Sequence, residues 1–300
     1  MKPSTLKDYK ERMLRVLIHI QEHLDDEPDL EELARIACFS MYHFHRIFRG
    51  MLGESVREHI RRLKLERAAS RLKHSNTPVT TIAFEAGYES HEAFTRAFKA
   101  MAGISPSEFR LQKGSLSQPV SPSEVHYQER AQLSDFIPVQ MGGVSMEVKF
   151  ENIMPMRVAF VRHVGPYDEC GKAWDKLTTE LGRRGLLGTD TKYIGLCYDD
   201  PDVTPAEKVR YDACVTVPED FMPENDIGVQ TIAGGEYVLV THFGPYNRLG
   251  ETYARLFGEW LPRSGRHLRS APCLEVYLND PEGTDPEDLV TDIYVPLESR

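Results

Sequence analysis

The sequence of 300 residues has few cysteines and no long apolar run. Its five cysteines are odd in number, lie far apart and include no C-x-x-C pair, which argues against a disulfide framework and a zinc site. No apolar run approaches the roughly 18 residues of a membrane-spanning helix, and the first residues lack the apolar region of a signal peptide. We therefore expect a cytoplasmic protein with neither a metal site nor a cofactor.

Charge is distributed unevenly along the chain. The 36 basic and 46 acidic side chains give a net charge of −10, which by itself argues against a nucleic-acid partner. Residues 1–113, however, hold 19 basic and 16 acidic side chains, whereas residues 114–300 hold 17 and 30. A basic first part is what binding to a phosphate backbone requires. Because 300 residues exceed one typical core, we predict two domains.

The stretch Val79–Arg110 has the pattern of a helix-turn-helix. Apolar residues recur at helical spacing in its first part, and Gly87 can end that helix. Ser90 can cap a second helix, in which Phe94 and Phe98 lie four residues apart and form a buried stripe. Taken alone, such a helix pair is about as consistent with a structural αα-hairpin as with DNA binding.

An earlier part of the chain, residues 33–55, repeats this pattern 49 to 50 positions upstream. Phe44 and Phe48 match the later phenylalanine pair, and this duplication favours DNA binding over two structural hairpins. Burial of each pair leaves a polar, mostly cationic side of the helix outward, as a helix in the major groove requires. The predicted groove-facing residues are Tyr42, His45, Arg46 and Arg49 in the first copy, and His91, Thr95, Arg96 and Lys99 in the second.

Arginine suits the edge of guanine, so Arg46 and Arg96 are the best candidates for base contacts. The residues predicted to contact phosphates are Ser40, Ser90, Arg61 and Lys64. The connector 55–73 contains no Gly or Pro and spans about 28 Å as a helix, which is close to the ~34 Å of one DNA turn. One chain can then place both reading helices in successive major grooves.

These residues resemble the AraC/XylS family of transcription factors, particularly its Rob/MarA branch. The matching motifs are Ala34-x-x-Ala37, Phe39-Ser40, Arg46-Ile47-Phe48-Arg49, Ile82-Ala83-x-x-Ala86-Gly87-Tyr88, Phe94-x-Arg96-x-Phe98-Lys99 and Gly103-Ile104-Ser105-Pro106-x-x-x-Arg110. The resemblance implies an all-α DNA-binding domain with two helix-turn-helix units over residues 1–113. Cys38 stands where the family commonly has glycine.

The stretch that follows, residues 114–143, mixes Ser, Pro and Gly with little periodicity. This composition predicts a linker, which Val125, Tyr127 and Phe136 would partly order. The remaining residues, 144–300, then form the second domain.

The second domain contains a duplication of its own, with a period near 79. FVRHVGPY at 160–167 recurs as LVTHFGPY at 239–246, and each copy reads as β-β-α-β-β, an α+β fold. Gly permits a sharp exit from the strand and Pro suits a first helical turn. Gly234-Gly235 is typical of a tight hairpin between two strands. Since His163 and His242 occur in both copies, we predict a symmetric structural role for them.

Two such halves are expected to pair about a pseudo-twofold axis, with a groove between their helices. The repeated H-x-G-P-Y motif and the segment Leu274–Pro281 resemble the GyrI-like small-molecule-binding domains, which also occur in multidrug-sensing activators. In those domains a glutamate at the place of Glu275 faces the central cavity and meets cationic drugs.

Glu275 is aligned with Gly195 of the first copy, so the carboxylate occurs in one half only. An ionised carboxylate in an apolar groove is poorly solvated, and an aromatic cation would relieve that cost. The candidate aromatic walls are Trp174, Tyr193, Tyr198, Tyr246, Tyr253 and Tyr277. Without the resemblance, an edge-strand residue that points to solvent or a structural ion pair is the more ordinary interpretation of Glu275.

These patterns predict a transcription regulator that binds double-stranded DNA and senses a small, cationic or aromatic effector. RNA polymerase is a possible further partner. Two alternatives stay open at this stage, since the resemblance also covers hydrolases of cyclopropanoid compounds, for which Glu275 would activate water, and protein-binding modules. The sequence contains no activated nucleophile, paired carboxylates or metal ligands, so we predict no enzyme.

Overall fold

The computed structural model describes residues 5–26, 29–112, 121–130, 132–140, 146–199, 204–224 and 226–299. The chain divides into two compact units, Met1–Gln140 and Met141–Arg300. Parts of the predicted linker, residues 114–120 and 141–143, lie outside the described residues. No helix in the described ranges is both long and apolar enough to cross a membrane.

The first unit is all-helical, and both predicted helix-turn-helix units are confirmed. Its helices are α1 (Thr5–Glu22), α2 (Leu30–Ala37), α3 (Met41–Leu52), α4 (Val56–His74), α5 (Val79–Glu85), α6 (His91–Ala102) and α7 (Pro106–Leu111). The first helix-turn-helix unit is α2 with α3, and the second is α5 with α6. The helix α4 connects the two units.

The predicted phenylalanine pairs form the core of these units. Phe44, Phe48, Phe94 and Phe98 are each at most 1% exposed, which places the opposite side of α3 and α6 away from the helical core. The hydroxyl of Ser90 accepts the amide of the third residue of α6 at 3.1 Å, so the predicted cap is present.

The turns of the two units share a backbone conformation that only glycine adopts without strain. Gly87 has φ +82° in the second unit, and Cys38 has φ +53° at the corresponding turn of the first unit. A side chain in this left-handed region costs about 1 kcal/mol or more. Cys38 nevertheless adopts the same left-handed backbone conformation as Gly87. The packing of the surrounding helices therefore determines the conformation of this turn.

The second unit is an eight-stranded antiparallel sheet with helices. Its strands are β1 (Lys149–Ile153), β2 (Met156–Val164), β3 (Tyr193–Cys197), β4 (Arg210–Thr216), β5 (Gly228–Ile232), β6 (Gly235–Phe243), β7 (Cys273–Tyr277) and β8 (Val290–Pro296). Its helices are α8 (Gly171–Arg183) and α9 (Leu249–Arg255), and the latter continues through a π-helical turn (Leu256–Trp260) into α10 (Leu261–Arg263). The predicted α+β duplication is confirmed.

The order of strands is β1-β6-β8-β7-β3-β4-β2-β5, so the two halves exchange their first strands. The prediction of a hairpin at Gly234-Gly235 is wrong, because β5 pairs with β2 and β6 pairs with β1. A Cβ atom on Gly234 would lie 2.8 Å from the carbonyl oxygen of Ile153 and 2.7 Å from Pro155. The glycine therefore allows two connections to pass each other where the strands change halves.

Alternation along the strands separates two faces of the sheet. One face packs on α8 through Ala159, Ala213 and Val215, among others. The other face gathers an apolar cluster that includes Ile194, Leu196, Leu274 and Val276.

The duplicated histidines hold the corner between strand and helix. A ring nitrogen of His163 lies 2.8 Å from the carbonyl oxygen of Pro166, and His242 lies 3.4 Å from that of Pro245. The predicted symmetric structural role is thus observed directly.

Candidate ligand site and DNA-reading helices

The pseudo-twofold axis of the second unit passes between β3 and β7. These two strands pair antiparallel with Gly195 directly opposite Glu275. The alignment of the two copies had matched Gly195 with Glu275. The register of β3 and β7 now shows that these two residues are neighbours at the centre of the sheet. One carboxylate therefore lies on the axis, facing the side of the sheet that packs on the helices.

Glu275 is 7% exposed and is held by two tyrosine hydroxyls. Tyr253, from α9, donates to Oε1 at 3.0 Å, and Tyr277, from its own strand, donates to Oε2 at 2.9 Å. No lysine or arginine among the residues that the structure describes lies within ion-pair distance of this carboxylate. Its negative charge is therefore met by neutral donors alone in that part of the chain.

A chain of hydrogen bonds extends from Tyr277 into the first half. The hydroxyls of Tyr277 and Tyr211 lie 3.0 Å apart, and the indole nitrogen of Trp174 donates to the Tyr211 hydroxyl at 3.1 Å. Since Tyr277 donates to Glu275, its oxygen accepts from Tyr211, and all these donors point toward the carboxylate. The sequence analysis did not identify Tyr211. Two signals could have done so: its strand alternates with a period of two, and the corresponding residue of the second copy, Thr291, is of a different type.

Most of the predicted aromatic walls do surround this carboxylate. The ring of Tyr277 lies 5.7 Å from that of Trp174 and 5.2 Å from that of Tyr246, both in edge-on arrangements. Tyr193 lies 6.3 Å from Trp174 on the same side of the sheet. Together with Tyr253, these rings bring five of the six predicted walls to one place.

Tyr198 is the exception, and its assignment to the wall of this site is wrong. It follows β3 at a position whose side chain points to the other face, where its hydroxyl donates to Asp212 at 2.9 Å. The same carboxylate accepts Arg162 at 2.7 and 2.9 Å and Gln230 at 2.9 Å. The period of two along β3 separates Tyr198 from Tyr193 and could have revealed this difference.

The tyrosine hydroxyls stay protonated around neutral pH. Burial, and then the charge of Glu275, raise the pKa of Tyr277 well above its ordinary value. Burial likewise raises the pKa of Tyr211, and burial followed by Glu275 raises that of Tyr246. For the same two reasons the pKa of the Cys170 thiol rises to about 11. The tyrosine hydroxyls and the thiol around Glu275 are therefore neutral groups.

Glu275 is covered by the tyrosines that bind it and is itself buried. A shallow depression of about 340 Å³ lies elsewhere, on the outer side of α8, and is lined by Asp175, Lys176, Thr179, Glu180, Arg183 and Ile227. Among the described residues, no three His, Cys, Asp or Glu side chains are placed to hold a metal ion.

The two reading helices differ in exposure. On α6, Arg96 and Lys99 are exposed and His91 and Thr95 are half-buried, as an outward face requires. On α3, Tyr42 and Arg49 are half-buried, but His45 and Arg46 are only 8% and 9% exposed. The prediction that these two side chains face outward is wrong in this structure. The period of a helix determines which side is opposite the core, but not what else packs on that side.

The residues predicted to contact phosphates lie at the helix ends and along α4. Ser40 and Ser90 occupy the N-cap positions of α3 and α6. Arg61 is exposed and Lys64 half-buried on α4. Their contacts with DNA, like those of the groove-facing set, stay predictions.

Comparison with known proteins assigns both units. The model of the GyrI-like small molecule binding domain matches residues 146–298, and that of a helix-turn-helix domain matches residues 33–112. The DNA gyrase inhibitor of Salmonella typhimurium (strain LT2) is 30% identical over 159 residues, which cover 52% of this chain and 100% of that protein. The HTH-type transcriptional activator AarP of Providencia stuartii is 34% identical over 96 residues, which cover 32% of this chain and 71% of AarP.

The probable transcriptional regulator YgiV of Escherichia coli (strain K12) is 39% identical over 106 residues, or 35% of this chain. The match covers 66% of YgiV, so the chain spans just under two thirds of that relative's length. Each domain model matches the unit whose fold was described above, and the GyrI-like model alone covers half of the chain. The chain belongs to the AraC-type helix-turn-helix regulators that carry a C-terminal GyrI-like small-molecule binding domain.

Proposed function

We propose that the protein is a transcription regulator whose first unit binds a specific DNA duplex and whose second unit binds an aromatic organic cation beside Glu275. The observation that carries the ligand class is the pairing of a buried carboxylate with neutral hydroxyls inside an aromatic shell. A buried carboxylate without a cationic partner is poorly stabilised. A cation with aromatic rings supplies the missing charge and stacks on the surrounding rings.

The second buried carboxylate of the unit supports this argument by contrast. Asp212 is fully buried, and the chain itself provides its cation, because Arg162 binds it with two hydrogen bonds. The guanidinium also lies 5.2 Å from the centre of the Tyr198 ring. The fold therefore contains one carboxylate that binds an arginine beside an aromatic ring and one, Glu275, that tyrosine hydroxyls bind inside an aromatic shell.

We expect Glu275→Gln to weaken binding of tetraphenylphosphonium, used as an aromatic cation probe, by about tenfold or more, which is about 1.4 kcal/mol. The amide keeps the size and removes the charge. Calorimetric titration of the full chain measures this, with neutral triphenylphosphine oxide as the matched ligand. Asp212→Asn, which neutralises the carboxylate on the opposite face, serves as the control variant. Equal losses for the charged and the neutral ligand would show that Glu275 supports structure instead.

DNA binding is supported by the cationic outer side of α6 and by the connector. Arg96 and Lys99 are exposed on a helix whose apolar side packs in the core, which is the arrangement of a helix that reads the major groove. The helix α4 has 19 residues and spans about 28 Å. It therefore separates the two helix-turn-helix units by nearly one DNA turn. Contact with RNA polymerase, which activation of transcription would require, stays a prediction.

Arg96→Ala should weaken binding to a duplex selected with the full chain by about 1–3 kcal/mol and relax the preference at one base pair. The reason is that a guanidinium binds a guanine edge with two hydrogen bonds. Fluorescence anisotropy with the selected duplex and its single-base variants measures both effects. Arg183→Ala, the same change of charge on an exposed position of α8, is the control. Unchanged affinity and preference in Arg96→Ala would remove the assignment.

A further inference from the structure

We propose that residues 121–140 form a strap that belongs to the DNA-binding unit and holds the end of α3, the first reading helix, in place, whereas none of the hydrogen bonds of its described residues reaches α6. The proposal rests on the proposed function, since α3 matters as a reading helix. The proposal also extends the DNA-binding unit, which the sequence analysis predicted to end at residue 113, to residue 140. The described part of the strap comprises all of these residues except 131.

The first attachment of the strap is a buried carboxylate on α4. Glu66 is 7% exposed and accepts the backbone amide of Tyr127 at 2.7 Å. A ring nitrogen of His126 lies 3.1 Å from the same carboxylate, and Arg62 donates to it at 2.8 Å. A buried carboxylate needs several such partners, and the strap provides two of the three.

Arg62 extends this attachment to the end of α3. Its guanidinium donates to the carbonyl oxygen of Val125 at 2.8 Å and to Glu54 at 3.1 Å. Glu54 directly follows Gly53, the C-cap of α3, and also accepts a hydrogen bond from His59 at 2.8 Å. Burial opposes its charge, but the hydrogen bonds from His59 and Arg62 lower the pKa of Glu54 to about 2. Arg62 thus binds both Glu54 at the end of α3 and the backbone of the strap.

The second attachment is made directly to α3. The amide of Val139 donates to the carbonyl oxygen of Met51 at 2.9 Å, which satisfies one of the last carbonyl groups of the helix. A Cβ atom on Gly53 would lie 2.8 Å from Pro122 and 3.0 Å from Val139, so both parts of the strap press against this turn. Phe136 is 4% exposed and lies beneath the ammonium group of Lys10 of α1, so burial beside α1 anchors this part of the strap as well.

The second helix-turn-helix unit shows that this arrangement is specific to the first. At the offset of 50 residues, Ile104 replaces Glu54 and Phe109 replaces His59. Phe109 packs edge-on against the second phenylalanine of α6 at 5.4 Å, and His59 occupies the same place against α3 at 5.6 Å. The second helix-turn-helix unit has apolar residues at these two places, whereas the first has Glu54 and His59, and Arg62 connects Glu54 to the strap.

Hydrogen exchange measured by mass spectrometry on the full chain tests the strap, because α6 provides an internal reference. Phe136→Asp should raise exchange at residues 47–53 by about tenfold and leave α6 unchanged, since it removes the buried anchor beside Lys10 of α1 and so loosens the nearby Val139, whose amide bonds to Met51 of α3. His126→Ala removes a half-buried ring and should act in the same direction by about threefold, without the risk of unfolding that a buried charge brings. Ile137→Asp, at a neighbouring position that is 56% exposed, is the matched control.

An unchanged exchange rate at the end of α3 in both strap variants would overturn the proposal, as would an equal rise in α6. The exchange comparison requires no DNA. A wild-type chain that selects no duplex would therefore refute the proposed DNA binding and leave the result on the strap standing.

Discussion

Replacing Arg162 with methionine should lower the free energy of unfolding of the second unit by about 3 kcal/mol. Asp212 is fully buried, and Arg162 is its only cationic partner among the described residues. The hydrogen bond and charge of Asp212 raise the pKa of Arg162 above its ordinary value although burial opposes this. Removal of the guanidinium leaves a buried negative charge that Tyr198 and Gln230 alone must stabilise.

Asp212→Asn is the informative counterpart and should cost about 1 kcal/mol. The Arg162 side chain is 46% exposed, so water solvates it when the carboxylate is neutralised. Urea unfolding followed by tryptophan fluorescence measures the second unit separately, because both tryptophans, Trp174 and Trp260, lie there. We expect the larger loss in Arg162→Met because it leaves the buried carboxylate of Asp212 without its cation. Equal decreases in the free energy of unfolding of Arg162→Met and Asp212→Asn would contradict this explanation.

Gly195→Ala should destabilise the second unit by about 2–3 kcal/mol. A Cβ atom at this position would lie 2.6 Å from the Tyr211 hydroxyl and 2.7 Å from that of Tyr277, closer than real carbon atoms approach. Both tyrosines are buried or nearly so and carry the hydrogen bonds that reach Glu275. They must move, and their donors then lose the geometry that stabilises the carboxylate.

The same urea titration measures this loss, with Gly250→Ala as the control. Gly250 lies in α9 with nothing within 4 Å of a built Cβ atom, so alanine there should be neutral or slightly stabilising. A Gly195→Ala variant as stable as wild type would show that the tyrosines are not fixed. In that case the closed arrangement over Glu275 would be one of several that the rings adopt easily.

Both carboxylates illustrate why a residue type alone does not define a site. The sequence identifies Glu275 because the two copies of the repeat differ there, and the register between β3 and β7 places this difference on the axis. It gives no such signal for Asp212, since the second copy also has an aspartate, Asp292. Asp292 accepts Thr241 at 2.6 Å, where Asp212 binds Arg162. The difference lies in the partner on the neighbouring strand.

The sequence by itself determined the two duplications, the order of helices and strands, and the buried phenylalanine pairs of the reading helices. These features follow from spacing, because the periods of a helix and a strand decide which side chains share a side. Five of the six predicted aromatic residues also lie on the Glu275 side of the sheet, and their contact with a ligand stays a prediction.

The tertiary structure decided the rest. It exchanged the first strands between the halves, buried Arg46 and His45, covered Glu275 with tyrosines and attached the strap to α3. Each of these depends on contacts between residues far apart in the chain. A local period determines the direction of a side chain, but the group that it meets is selected by the free energy of the whole fold.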